Sequence, residues 1–185
     1  WASCSPRCRV SRVPTPVRPG RPAMGMERSD AWAVLAAIPD PEIPAISITD
    51  LGIVREVECH DDCVDVTVTP TYAGCPATEM IQADIVRALR AAGAAEVAVR
   101  LQLSPAWTTD WLSDDARARL AAYGIAPPQE RAADVVQPLR FRPRIRCPRC
   151  GSTQSEQLSA FGATACKALY RCLDCREPFE YFKPI

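Results

Sequence analysis

The chain has 185 residues, nearly half of them hydrophobic, and its 22 basic and 22 acidic side chains cancel to a formal net charge of zero. That length suits one or two domains of about 100 residues, and the charge balance argues against a general nucleic-acid or membrane-surface binder. No apolar run approaches the roughly 18–20 residues that span a bilayer, and the ten cysteines come without the apolar core of an export signal.

Paired Cys-x-x-Cys spacings in such a chain read as metal sites in reduced thiol chemistry, and the expected compartment is cytoplasmic. Residues 1–25, rich in Arg, Pro and Ser, read as a disordered leader or a mis-called start. Met24 or Met26 would then be the true beginning, and Cys4 and Cys8 would have no role.

An α+β domain is expected over residues 26–125. Ser29 and Asp30 are good helix caps, and Trp32, Leu35, Ala36 and Ile38 follow at helical spacing. Pro39, Pro41 and Pro44 end that helix and make Asp40 to Pro44 an extended loop. Ile53 to Glu58 and Val64 to Thr69 read as strands, the second alternating Val64, Val66 and Val68 against Asp65, Thr67 and Thr69. Cys59 to Cys63 between them is short enough for a hairpin loop.

A second helix follows Pro76, with Met80, Ile81, Ile85, Ala88 and Leu89 as its apolar stripe and Gly93 as its stop. Val97, Val99, Leu101 and Leu103 alternate as a third strand, and a helix capped by Ser113 runs through Tyr123. Residues 126–144, with four prolines and scattered charge, read as a linker. The last 41 residues, 145–185, hold five of the ten cysteines and form the second domain.

In that domain Cys147, Cys150, Cys172 and Cys175 form two Cys-x-x-Cys knuckles. Two intervening residues let the chain turn so that both sulfurs reach one ion at about 2.3 Å, and Gly151 removes the steric penalty of the turn. A module of about 40 residues cannot bury enough surface to fold alone, and a four-thiolate ion would staple it. The expected site is a structural zinc in a β-ribbon with strands near Ser152 to Leu158 and Phe179 to Phe182. Rubredoxin-type iron fits the same spacing. Cys166 reads first as a small buried residue, with a spare ligand or redox-active thiol as the alternative.

Gly74-Cys75-Pro76 is the informative stretch of the first domain. Proline suits the first helical position, which puts Cys75 at the cap. Unpaired N–H groups and the helix dipole there favour an anion, and hence a thiolate able to bind metal. A plain capping or buried cysteine is the competing reading.

Asp40-Pro41-Glu42-Ile43-Pro44, Asp50-Leu51-Gly52-Ile53-Val54 and Thr69-Pro70-Thr71-Tyr72-Ala73-Gly74-Cys75-Pro76, in this order, resemble the iron–sulfur cluster assembly domain of SufT-type proteins. Joined to a four-cysteine ribbon containing Phe161 to Cys172, the chain from Glu27 to Ile185 resembles the D (also called J) subunits of bacterial phenylacetyl-CoA 1,2-epoxidases. The resemblance implies an accessory, non-catalytic subunit that assists assembly or maintenance of an iron or iron–sulfur centre in aerobic phenylacetate breakdown. It implies di-iron oxygenase and reductase subunits as partners, and Cys75 as the thiolate handling iron or a transient cluster. It also implies Asp50, Glu42 and Thr71 beside Cys75. One cysteine cannot satisfy a cluster, so sharing between two protomers is expected.

The residues agree with a non-catalytic role. A di-iron carboxylate site wants two Glu-x-x-His motifs and a dinucleotide site a Gly-x-Gly-x-x-Gly turn; the chain has neither, and His60 is its one histidine. Two other readings remain. One is a general iron–sulfur carrier with many clients. The other is a nucleic-acid-binding ribbon, for which the alternating Arg140, Arg142, Arg144, Arg146 and Arg149 speak but aromatic interleaving does not.

Overall fold

The structure, a computed structural model, describes residues 25–60, 63–72, 74–128 and 145–185. The expected leader, most of the expected linker, and Arg140, Arg142 and Arg144 lie outside the described residues. The described chain is α+β, with three α-helices and two sheets.

Helix α1 spans Arg28–Ala36 and buries Ala31 and Leu35. Its cap position is Glu27, without a side-chain cap bond, so Ser29 and Asp30 fall inside the first turn instead of capping it. The proline loop follows. Strands β1 (Val54–His60) and β2 (Cys63–Val68) form the expected antiparallel hairpin. Helix α2 (Ala77–Ala91) then crosses over to β3 (Glu96–Leu101), which pairs parallel with β2.

The sheet order β1-β2-β3 puts β2 in the centre. Val64, Val66 and Val68 pack into the core against Ile81, Ile85 and Leu89 of α2. On the opposite face Asp65 is buried as well, because Arg100 of β3 donates to its carboxylate at 2.7 Å. Helix α3 (Asp114–Tyr123) begins as expected, with Ser113 Oγ accepting from the Ala116 amide at 3.0 Å, and ends at Gly124.

The second sheet has the order β4-β7-β6-β5, from Ile125–Ala126, Pro178–Phe182, Lys167–Cys172 and Ser155–Ser159. Strand β6 is one that the sequence reading did not single out. Its alternation is broken by buried Lys167, whose ammonium pairs with Glu180 at 2.7 Å. Strand β4 comes from the end of the first domain, so Ala126, taken as the start of a linker, is already a member of the ribbon sheet, paired with Tyr181.

The ribbon has its own small core, and the core of the first domain reaches into it through Cys166 and Phe182. Phe182, at the end of β7, is 1% exposed and packs with the first domain's residues, its ring centroid 6.0 Å from that of Trp107. Trp107 Nε1 donates to the Leu51 carbonyl at 2.8 Å, which ties this aromatic pair to the Asp50–Ile53 turn. The chain end closes the seam: the Ile185 carbonyl accepts from the Thr109 amide at 3.1 Å.

Candidate functional site

Two cysteine-bearing sites stand apart. In the ribbon, the Sγ atoms of Cys147, Cys150, Cys172 and Cys175 all lie within 4.8 Å of one another. Cys147 and Cys175 are 3.8 Å apart, and Cys150 and Cys172 are 3.5 Å apart. A tetrahedron with metal–sulfur bonds of about 2.3 Å has edges of about 3.8 Å, whereas a disulfide closes to about 2.05 Å. The four thiols therefore fit a single tetrahedral ion and leave no open coordination position.

The two knuckles are alike in backbone. Each places a residue of positive φ directly after its second cysteine, Gly151 at 75° and Arg176 at 67°. The Gly151 amide donates to the Cys147 carbonyl at 2.9 Å, and the Cys172 amide to the Glu177 carbonyl at 3.0 Å. Amide groups of Cys175 and Asp174 point at the Cys172 sulfur and bring its thiol down to about 7. Against the Glu177 amide bond, burial and the neighbouring thiols push Cys175 up to about 12, so without a metal the charge stays on one sulfur of the set.

The second site is a narrow cleft at the seam between the modules. Its volume is about 20 Å3, room for a water or one ion and far too little for an organic substrate. Asp40, Glu42, Thr71, Cys75 and Thr78 line it from the first domain, and Cys166 and Phe182 from the ribbon. Apolar Ile43, Leu51, Ile53, Val68 and Ile81 complete the walls.

Each polar group has a reason to be where it is. Asp40 Oδ1 accepts from the amides of Glu42 and Ile43 at 3.0 and 2.8 Å, which folds the proline loop over the cleft. Burial raises the Asp40 carboxyl above its ordinary value, and the two amide bonds only partly offset it. Glu42 is raised as well, by burial and then by the charge of Asp40. Cys75 lies one residue ahead of Pro76, the cap of α2, so it flanks the helix start and does not itself cap it. Cys166 is buried, and burial raises its thiol; Thr164 Oγ1 sits 3.0 Å from its sulfur.

Tyr72, which sequence reasoning passed over, senses the same spot. Its hydroxyl is raised by burial and then by Cys75, Glu42 and Cys166. The signal was present in the sequence, since Tyr72 stands three residues before Cys75 in the motif that carries the resemblance.

The structure thus brings Glu42, Thr71, Cys75 and Cys166 to one cleft. Asp50 is not among the residues lining it. Its carboxylate accepts from the Ser47 amide at 2.9 Å and forms a two-pronged pair with Arg119, at 2.9 and 3.0 Å. That arrangement ties the turn before β1 to α3.

Comparisons with known proteins match these two regions. Residues 28–101 match the family described as "Iron-sulfur cluster assembly protein", and residues 131–183 the "PaaD zinc beta ribbon domain". The chain is 53% identical over 156 residues to the Escherichia coli (strain K12) protein described as the D subunit of a "Putative 1,2-phenylacetyl-CoA epoxidase", spanning 84% of this chain and 92% of that one. The chain belongs to the family of phenylacetyl-CoA epoxidase D subunits. Its first domain alone is 33% identical over 93 residues to a Porphyromonas gingivalis (strain ATCC BAA-308 / W83) "Fe-S protein maturation auxiliary factor", covering 49% of this chain and 88% of the relative. Among solved structures, a domain of unknown function from Bacillus anthracis aligns at TM-score 0.47 and 28% identity, over 50% of this chain and 89% of that one.

Among the described residues no helix is long and apolar enough to cross a membrane.

Proposed function

We propose that this chain is an accessory subunit of a multicomponent phenylacetyl-CoA epoxidase, and that it helps to build or maintain an iron or iron–sulfur centre carried by its partners. The observation that carries the reading is the cleft. It joins a thiol beside a helix start to carboxylates and a second thiol, in a space of about 20 Å3 that admits an ion and no aromatic acyl thioester. Cys75 is the group we assign to iron or cluster handling, with Glu42 and Thr71 beside it and Asp50 bracing the turn behind them. The ribbon cysteines Cys147, Cys150, Cys172 and Cys175 hold a structural zinc, whose work is to fix the ribbon against the first domain. We place the protein in the cytoplasm with its oxygenase and reductase partners, in a non-catalytic role.

The test is a deletion strain complemented with wild type or Cys75→Ser. Wild type is expected to restore growth on phenylacetate and the iron content of the purified oxygenase and reductase subunits, and Cys75→Ser to restore neither. Full iron loading of both partners in the deletion strain would overturn the maturation role. The relative described as a maturation auxiliary factor favours a second reading, a general carrier; activities of unrelated iron–sulfur enzymes would then fall together with growth on phenylacetate. A ribbon that binds nucleic acid would give salt-sensitive retention on DNA or RNA, which the zero net charge argues against.

A further inference from the structure

We infer that Cys166 of the ribbon and Cys75 of the first domain are the two thiolate ligands of one transient divalent-metal site, completed by the Glu42 carboxylate. The inference deepens the maturation reading and rests on it. The geometry of the cleft carries it. Both cysteines are free thiols and line the same cleft together with Glu42. The Lys167 ammonium, next in sequence to Cys166, pairs with Glu180 at 2.7 Å. Two sulfurs and a carboxylate suit borderline ions such as Fe2+, Co2+ and Zn2+, and Ile43, Leu51, Ile53, Val68 and Ile81 wall the site.

The site differs in kind from the ribbon's. Cys75, Cys166 and Glu42 do not form a ready-made group of ligand atoms within 4.8 Å of one another, whereas the ribbon cysteines do. An ion must draw the donors together, so binding is weaker and reversible, as handing on a cargo requires. On loading, two thiols lose their protons to solvent and form two metal–sulfur bonds, with no change of oxidation state. The ribbon acquires a second task in this scheme. Strand β6 begins next to Cys166 and ends at Cys172, so the zinc end fixes one terminus of the strand that presents the second thiol about 20 Å away. Because both thiols come from one chain, no second protomer is needed.

The test is an anaerobic titration of the zinc-loaded full chain with Co2+, read by thiolate-to-cobalt charge transfer, with zinc content followed throughout. Wild type is expected to take one Co2+ beyond its zinc, without dimerising, and X-ray absorption should count two sulfurs on that cobalt. Cys75→Ser and Cys166→Ser are each expected to weaken Co2+ binding about tenfold or more and to remove about half of the charge-transfer intensity, with zinc retained. Wild-type affinity and intensity in Cys166→Ser would overturn the shared site and leave a Cys75-centred carrier standing. One sulfur on the wild-type cobalt, or a dimer formed on loading, would overturn it without any variant. No Co2+ bound beyond the zinc in wild type would overturn it too, and growth of the Cys75→Ser strain on phenylacetate would then decide the maturation role separately.

Discussion

The four ribbon cysteines and the two cleft cysteines sit at opposite ends of strand β6 and follow opposite rules. The ribbon presents four sulfurs at mutual distances that already match a tetrahedral ion, backed by amide hydrogen bonds and two matched turns. The cleft presents one thiol from each module, set among carboxylates raised by burial and apolar walls. A closed, preorganised set of like ligands holds its ion as part of the fold. An open, mixed set that must be drawn together binds an ion it can also release. What couples them is packing, because the ribbon that carries the first site supplies Cys166 and Phe182 to the second.

The strongest way to break that comparison is to remove the zinc that we assign to the ribbon. Structural zinc in small modules contributes free energy of order 10 kcal/mol to folding. Cys172→Ala, or chelation of the purified chain, is expected to unfold the ribbon sheet. The first domain should feel it, since Phe182 is then no longer held in its core; its melting temperature should fall as well. Circular dichroism together with tryptophan fluorescence checks both, since Trp32, Trp107 and Trp111 all pack in the first domain. A first domain that melts as before would mean that the shared core contributes little, and the coupling would be lost.

A milder probe acts on the seam alone. Phe182→Ala removes a fully buried ring that touches both Trp107 and the cleft, at an expected cost of about 3–5 kcal/mol in denaturant unfolding. Zinc content should stay near wild type, since none of the four ribbon ligands is altered. A smaller effect belongs to the loop over the cleft. Asp40→Ala leaves the amides of Glu42 and Ile43 without their acceptor and is expected to cost about 1–3 kcal/mol. Asp40→Asn keeps an oxygen in that place and should stay within about 1 kcal/mol of wild type. It should also keep the cleft Co2+, which separates the loop-holding Asp40 from the liganding role we assign to Glu42. A loss as large as that of Ala would instead show that the charge of Asp40 is what the cleft needs.

Much of this was legible in residue order, for definite reasons. Period-two valines announce β2, Ser113 announces α3, and two Cys-x-x-Cys pairs announce the ribbon, because each is a local rule that tertiary contacts did not override. Local rules also misled. Ser29 and Asp30 look like caps but lie in the first turn of α1. Strand β6 was hidden by Lys167, a charge that only its pairing with Glu180 makes tolerable in a buried position. The cleft as a whole could not be read, because Cys75 and Cys166 are far apart in sequence and meet only through the packing of β7 on the first domain. Asp50 shows the reverse case. It stands in a motif beside residues that reach the cleft, yet its carboxylate is taken up by Ser47 and Arg119.

The two knuckles give the smallest test, and it turns on the same distinction between local signal and real geometry. Gly151 marks the first turn in the sequence, while the second places Arg176 in the same left-handed conformation at φ 67° with no such mark. An L-residue there pays roughly 1–2 kcal/mol in steric strain, part of which glycine returns as greater freedom of the unfolded chain. Arg176→Gly is therefore expected to stabilise the ribbon by about 1 kcal/mol and to slow zinc loss to a chelator, while Co2+ binding in the cleft stays unchanged. The exposed Arg176 side chain has no ligand to lose, so a change confined to the turn is what the substitution measures. If zinc loss were instead faster, the Arg176 side chain would be supporting the knuckle, and the likeness of the two turns would be one of backbone shape alone.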